Sequence, residues 1–249
     1  MLVTIWTLAH FVFSRTPAGM GLRPDGDEPG AMAISVTSPM ARPLPGALLW
    51  RDRKFVALSA GMTFGLFAQI GLVAHLYSLL VLPFGAKQAG LMMGLVTVMA
   101  IAGRTLIARL MPLGTDRRLV ACGGYAAQIA GSAAFMVASG TNIPLLFAGV
   151  ILFGMGFGVA TSLPPLIAQV EFVNEDVPRV AALIVAIAQI GYSFAPAFFG
   201  LIRAISSTES EAAAGQVPAL FAAVALTQCL AVGAFLAGRD RTKSKRIDK

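Results

Sequence analysis

Charged side chains are the class of residue that this chain most lacks. Asp, Glu, Lys and Arg make up 12% of the 249 residues, whereas hydrophobic residues make up 57% and the mean hydropathy is +0.77. A soluble domain carries roughly a quarter of charged residues. Residues 119–170 contain none, over a length that suffices for two membrane spans of about 20 residues each. This scarcity excludes an ordinary water-soluble domain and predicts an integral membrane protein.

Cysteine and histidine are almost as scarce, with two of each. Cys122 and Cys229 lie in apolar runs without CxxC spacing, so we interpret them as small packing residues. His10 and His75 cannot form an HExxH pair, and the chain has neither a P-loop nor a dinucleotide fingerprint. We therefore predict no enzyme activity, no catalytic residue, no metal site and no cofactor.

Six apolar runs are each long enough to cross a bilayer. Helix-breaking or polar residues separate them, as at Pro83 and Gly85 after the first run and at residues 139–142 between the third and fourth. The predicted fold is all-α, a polytopic membrane protein with six transmembrane helices. The predicted spans are 55–82, 89–113, 119–139, 144–170, 180–202 and 217–238.

Lys and Arg give the chain a net charge of +7, but their placement favours a lipid bilayer over nucleic acid as the partner. One set of alternate loops receives both terminal clusters with Arg117, Arg118 and Arg179, whereas the other receives only Lys87 and Arg203. Basic loops face the cytoplasm, so both termini are predicted to be cytoplasmic, which requires an even number of spans. The Ala-, Gly- and Arg-rich composition suggests a bacterial plasma membrane. The terminal clusters are Arg15, Arg23, Arg42, Arg51, Arg53 and Lys54, and Arg239, Arg241, Lys243, Lys245, Arg246 and Lys249.

The regions outside the spans follow from composition. Residues 1–14 are apolar but too short to span, and they have neither a basic n-region nor a cleavage site, so we interpret them as the remnant of a preceding transmembrane helix. Residues 15–54 are rich in Pro and Gly and are predicted to form a cytoplasmic loop. Residues 55–238 form the six-helix domain, and residues 239–249 a basic cytoplasmic tail.

Arg104 lies about three residues from the midpoint of the second predicted span. A charge at that depth costs several kcal/mol unless it faces water, a partner or a substrate. A guanidinium matches a carboxylate in geometry, which favours a cavity arginine that binds an anion. The alternative is an arginine that snorkels or forms a structural pair, as we expect for Arg109.

Polar residues also occur at helical spacing inside the spans. Gln189, Tyr192, Ser193 and Pro196 share one face of the fifth span and must face protein or a wet cavity. Interhelical hydrogen bonding would explain them equally well. Gln69 is near the middle of the first span. His75 lies towards its outer end, where we interpret it as a packed or interfacial residue rather than a proton carrier.

Glycines four residues apart occur in the first and fourth spans, at Gly61 with Gly65 and at Gly154 with Gly158. Close helix packing explains such pairs. Equivalent interruptions in two repeats are also typical of a transport site.

Several short segments resemble the C-terminal half of transporters of the major facilitator superfamily. Residues 16–26, TPAGMGLRPDG, resemble the exit from the family's sixth helix. Gly103-Arg104 with the following residues 116–118 is similar to the eighth helix and its basic loop, and residues 191–200 are similar to the bend in the eleventh helix. Glu171 with Arg179 resembles the pair that borders the preceding cytoplasmic loop.

The resemblance implies that the six spans correspond to the family's helices seven to twelve. It implies a substrate-contacting role for Arg104 alone, as in monocarboxylate and oxalate-type members. Pro112 stands where the family usually has an aspartate, which implies a weakened or differently built salt-bridge network. The residues that it assigns to gating or structure are Glu171, Arg179, Arg117, Arg118 and Pro196.

We expect a secondary transporter of a small organic anion that works by alternating access. Arg104 is expected to bind the anion, with Gln69, Gln189 and Tyr192 lining the cavity. In the family the substrate path lies between two halves, so we expect a missing N-terminal half or a second copy of the chain as a partner. The alternative is a non-transporting membrane subunit or an inactive transporter fragment.

Overall fold

The computed structural model describes residues 46–112, 115–139, 141–206 and 217–239. Every regular element in these ranges is an α-helix, as predicted. All of them belong to one compact unit, Pro43–Lys249. The expectations for residues 1–14, for most of the 15–54 loop and for the tail beyond 239 lie outside the described residues. The helices are α1 Gly46–Leu49, α2 Arg53–Leu110, α3 Arg117–Ala138, α4 Ile143–Glu171, α5 Val177–Tyr192, α6 Ala195–Ser206 and α7 Pro218–Ala237.

Among the described residues, five helical stretches are long and apolar enough to cross a membrane, whereas six spans were predicted. They are α2, α3, α4, α7 and the stretch Val177–Ser206, which contains α5 and α6. The difference lies in α2, which joins the first two predicted spans. Its 58 residues would extend about 87 Å, far beyond the roughly 30 Å of a hydrocarbon core.

A break at Gly85 divides α2 into two arms. Helical structure continues through Pro83, where the prediction ended the first span, and is interrupted at Gly85 with φ 75° and ψ 161°. Only glycine adopts this backbone conformation without strain. The arms, residues 53–84 and 86–110, each exceed the length needed for one crossing.

Polar side chains cap the first turns of α2, α3 and α4. The Asp52 carboxylate accepts a hydrogen bond from the backbone N–H of Phe55 at 2.9 Å, which begins α2. Asp116 begins α3 and Asn142 begins α4 in the same way. These oxygens satisfy amide groups that have no partner within the first helical turn, so the three helix starts are encoded locally.

The fifth predicted span bends where α5 gives way to α6. Ser193 and Phe194 form a turn between the two helices, and Pro196 is the second residue of α6. Proline has no N–H to donate, so it is tolerated in a first helical turn. The Nε2 atom of His75, on the first arm of α2, lies 3.0 Å from the Pro196 carbonyl oxygen. This contact attaches the bend to α2.

Helices approach closely where glycines replace side chains. A Cβ on Gly154 would lie 2.8 Å from the Val96 carbonyl oxygen, and one on Gly158 would overlap the Ala100 carbonyl oxygen. Both contacts join α4 to the second arm of α2. Glycine at these positions lets the two backbones touch, so the packing interpretation of this pair agrees with the structure.

Large apolar side chains also cover the outside of the bundle. Ile205 is 76% exposed, and Val137 and Ile190 are each 68% exposed. The interior meanwhile contains stacked aromatic pairs, such as Tyr125 with Phe235 at 5.7 Å between ring centroids. An exterior as apolar as the core is unfavourable in water and is typical of a surface that faces lipid.

Candidate substrate-binding and gating residues

Arg104 lies on the exposed surface of the second arm of α2. Its Nη2 atom is 3.5 Å from the Oγ1 atom of Thr161 on α4, at the long limit of a hydrogen bond. The Thr161 hydroxyl itself donates to the Phe157 carbonyl oxygen at 3.0 Å. The lone pairs of the Thr161 oxygen are therefore free to accept a hydrogen bond from Arg104. The arginine is therefore positioned by a neutral neighbour, which supplies no counter-charge.

No carboxylate pairs with Arg104 among the residues that the structure describes. The ion pairs there join Arg118 to Glu171 and Arg239 to Asp116. A guanidinium has five N–H donors, and at Arg104 most of them are open to an incoming acceptor. The helix α2 ends at Leu110, three residues before the predicted end of the second span, which places Arg104 about 9 Å from the end of the helix.

Gln69 is fully buried rather than exposed beside Arg104. Neither its Oε1 nor its Nε2 atom has a hydrogen-bond partner within the described residues. Leaving such an amide unpaired costs about 1 to 3 kcal/mol. Its predicted place in a substrate cavity stays a prediction, since the helices around it would have to separate.

Gln189 and Tyr192 lie on the same face of α5, with Gln189 exposed and Tyr192 half-buried. The Ser193 hydroxyl donates to the Gln189 carbonyl oxygen at 2.6 Å, across the turn before Pro196. The contacts described for these residues do not join them to Arg104. The structure thus keeps them accessible without bringing the predicted cavity residues together.

The Arg118 guanidinium joins four helical segments at one end of the bundle, which we call the basic end and define by Arg117, Arg118, Glu171 and Arg239. Arg118 is only 1% exposed. Its Nε and Nη2 atoms donate to the two carboxylate oxygens of Glu171 at 2.6 and 2.7 Å. It also donates to the carbonyl oxygens of Phe235 at 3.2 Å and Lys54 at 3.1 Å. These bonds satisfy a buried cation that would otherwise be costly.

The other predicted gating residues surround this network. Arg117 Nη1 donates to the Leu166 carbonyl oxygen at 2.5 Å. Arg179 is exposed, and its guanidinium lies against Gly46 at the start of α1. The resemblance gave Glu171 and Arg179 as the acidic and basic residues that border a loop, and in the structure the ion-pair partner of Glu171 is Arg118. Pro112 supplies no carboxylate. Asp116, within the basic loop, does form an ion pair, with Arg239 at 2.5 Å.

Sequence reasoning missed a buried polar chain between α3 and α7. The Ser132 hydroxyl donates to Gln228 Oε1 at 3.3 Å, and Gln228 Nε2 donates to Gln128 Oε1 at 3.5 Å. All three residues are fully buried. Gln128 and Gln228 lie alone in long apolar runs, and that isolation was a signal of interhelical bonding. Thr161 was missed although it, too, interrupts an apolar run.

The described helices are long and apolar, and apolar side chains cover their outer surface. These features define a multi-pass helical membrane protein. The family model described as Major Facilitator Superfamily matches residues 1–196, most of the chain. The chain therefore belongs to the major facilitator superfamily, a family of membrane transporters of small solutes. Neither a curated protein nor a solved structure matches it. The family expected from the short sequence segments is confirmed.

Proposed function

We propose that this transporter carries a small organic anion by alternating access and that Arg104 binds the anion. The observation that carries the proposal is the exposed guanidinium of Arg104, which contacts only the neutral Thr161 among the described residues. A cation kept this close to the membrane interior without a counter-ion is favourable when a mobile anion supplies the missing charge. A carboxylate suits the planar donor fork of arginine.

We place Gln189 and Tyr192 in the wall of the same path. Both lie on the accessible face of α5, one helical turn apart. Tyr192 has a hydroxyl and Gln189 an amide, so each supplies a donor for an anion without adding charge. Gln69 joins the site only in a conformation in which the buried first arm of α2 is uncovered.

The arms of α2 serve as two spans in this proposal, which gives six crossings and both termini on the cytoplasmic side. The break at Gly85 and the basic residues at the opposite end of the bundle support this topology. The six spans then form one half of a transport bundle, corresponding to helices seven to twelve. A second wall comes from an N-terminal half or from a second copy of the chain in a bacterial plasma membrane.

We assign gating to the basic end and to the bend at Pro196. Arg118 and Glu171 hold α3 and α4 together, and Arg117 adds a bond to Leu166. Arg179 lies on the surface at the start of α5, where a second half would meet it. A closed end with many charge-assisted bonds stabilises one of the two states that alternating access requires.

Uptake of labelled anions into proteoliposomes tests the proposal. The chain is reconstituted together with any segment encoded in frame upstream of Met1, and mono- and dicarboxylates are compared with neutral sugars and amines. We expect carboxylate uptake that Arg104→Ala abolishes and Lys87→Ala preserves, since Lys87 is also exposed on the second arm of α2 but lies at its opposite end. Carboxylate uptake unchanged by Arg104→Ala would contradict the assigned role.

A further inference from the structure

An apolar groove of about 360 Å³ runs between the second arm of α2, α3 and α4. Its volume is that of a small-ligand site, yet its walls offer almost only carbon. Two of its residues, Leu106 and Gly123, are exposed, so the groove opens to the outside of the bundle. The lining residues are Gly103, Leu106, Ile107, Val120, Gly123, Gly124, Ala127, Met155, Gly156 and Val159.

The groove lies apart from the proposed anion site. Helical geometry turns the chain by about 100° per residue, so Thr161 lies on the opposite side of α4 from the groove residues Met155 and Val159. Arg104 contacts Thr161 on that far side. A molecule in the groove therefore does not occupy the transport path proposed above, and an apolar groove does not suit a small polar anion.

Two arginines lie one helical turn beyond the walls of the groove. Arg109 follows Leu106 by three residues in α2, and Arg117 precedes Val120 by three residues in α3. The chain reverses direction between these helices, so both arginines are displaced towards the same end, by about 4.5 Å along each axis. One end of the apolar groove is thus flanked by positive charge.

The neighbouring carboxylates leave this charge uncompensated. Asp116 is paired with Arg239 and Glu171 with Arg118. Arg109 has no ion pair within the described residues, and Arg117 uses one nitrogen for the Leu166 carbonyl oxygen. Both guanidinium groups are therefore able to bind an anionic oxygen.

We propose that the groove and these two arginines form a binding site for one anionic phospholipid of the surrounding bilayer. An acyl chain fills the groove between α2 and α3, and the phosphate lies between Arg109 and Arg117. Basic residues at a membrane surface attract anionic headgroups, and the groove adds an apolar site for the chain. The lipid contacts both the end of α2 and the start of α3 and so stabilises the basic end.

Photo-crosslinking with lipids that carry a diazirine on the acyl chain tests the site. The purified chain is reconstituted in phosphatidylcholine vesicles that contain a trace of labelled phosphatidylglycerol or labelled phosphatidylcholine, and the labelled peptides are identified by mass spectrometry. We expect phosphatidylglycerol to label peptides containing residues 103–107 and 120–127 preferentially. The preference should fall roughly fivefold for each arginine removed, in Arg109→Gln and Arg117→Gln.

Two glycine variants provide a matched pair for the groove itself. A Cβ on Gly123 meets nothing within 4 Å, and the same holds for Gly94, which lies on α2 and does not line the groove. Gly123→Leu fills the groove without an initial clash and should remove the labelling, whereas Gly94→Leu should leave it unchanged. Lys87→Gln is the charge control, because Lys87 lies at the start of the second arm, at the opposite end from Arg109.

Several outcomes would overturn the proposal. Equal labelling by the two lipids would exclude selection of an anionic headgroup, and labelling that persists in Gly123→Leu would exclude the groove. A fall of phosphatidylglycerol labelling to the phosphatidylcholine level in millimolar inorganic phosphate would show that the arginines bind free phosphate in preference to a lipid headgroup. Loss of the preference in both arginine variants, with the helical fold retained, would support the site.

Discussion

The Arg118 guanidinium donates two hydrogen bonds to the Glu171 carboxylate, with N···O distances of 2.6 and 2.7 Å, although the two residues are 53 positions apart in the sequence. Arg118 is almost completely buried, and its remaining donors reach backbone carbonyls of α2 and α7. One side chain thus ties four helical segments together at the basic end. In the outer pair, Asp116 with Arg239, each side chain is about one-third exposed, so this pair is much less buried than Arg118 with Glu171.

Removing Glu171 should destabilise the chain strongly. Glu171→Ala leaves a buried guanidinium without its counter-ion, which costs about 3 to 5 kcal/mol, and the thermal midpoint in detergent should fall by many degrees. Arg239→Ala breaks the exposed pair and should cost no more than about 1 kcal/mol. If the two substitutions lowered the stability equally, the buried ion pair would contribute no more than the exposed one.

The break in α2 should depend on the backbone of Gly85 alone. A Cβ there meets nothing within 4 Å, but φ is 75°. Gly85→Ala should therefore destabilise the chain by about 1 to 3 kcal/mol. Gly90→Ala, in equally open space but in regular helix, should stabilise it by about 0.5 to 1 kcal/mol. Denaturation in detergent compares the two, and a stabilising Gly85→Ala would mean that α2 is continuous there.

Close contact between α2 and α4 should be sensitive to a single methyl group. A Cβ on Gly158 overlaps the Ala100 carbonyl oxygen, which is backbone and cannot rotate away. Gly158→Ala should cost about 1 to 3 kcal/mol or more. The control is Gly233→Ala on α7, where a Cβ meets nothing. If both variants unfold at the wild-type temperature, the helices do not pack as described.

Gln69 offers a test in which stability and function move in opposite directions. Its buried amide has no partner within the described residues, so Gln69→Leu removes an unsatisfied group and should stabilise the chain by about 1 to 3 kcal/mol. Uptake should fall in the same variant if Gln69 contacts substrate in an open state. Lower stability would indicate that the amide already has a partner in the resting protein.

The extents of several helices could be predicted from the sequence because uncharged apolar runs are local signals. The fourth predicted span, 144–170, differs from α4 by one residue at each end. The division between the first two spans was harder. Pro83 and Gly85 both predict a helix end, but the helix absorbs the proline and breaks only at the glycine, with the second arm following at once.

The arrangement of side chains around the site could not be predicted in the same way. A helix that is apolar on every side gives no periodic signal for its inward face, so the burial of Gln69 in this conformation could not be predicted from the sequence. Nor does local sequence give a reason to choose Arg118 over Arg179 as the partner of Glu171. That choice is made by the packing of α3 against α4.

Equilibrium binding of a labelled carboxylate to the purified chain tests the central claim most directly. The anion that gives the highest uptake is titrated into wild-type protein and into Arg104→Ala, Arg104→Lys and Arg109→Ala at matched thermal stability. We predict that Arg104→Ala loses binding by about 10-fold or more, since a charge-assisted hydrogen bond contributes about 1.5 to 3 kcal/mol. Arg104→Lys should retain part of the affinity and Arg109→Ala all of it. Wild-type affinity in Arg104→Ala would contradict the account.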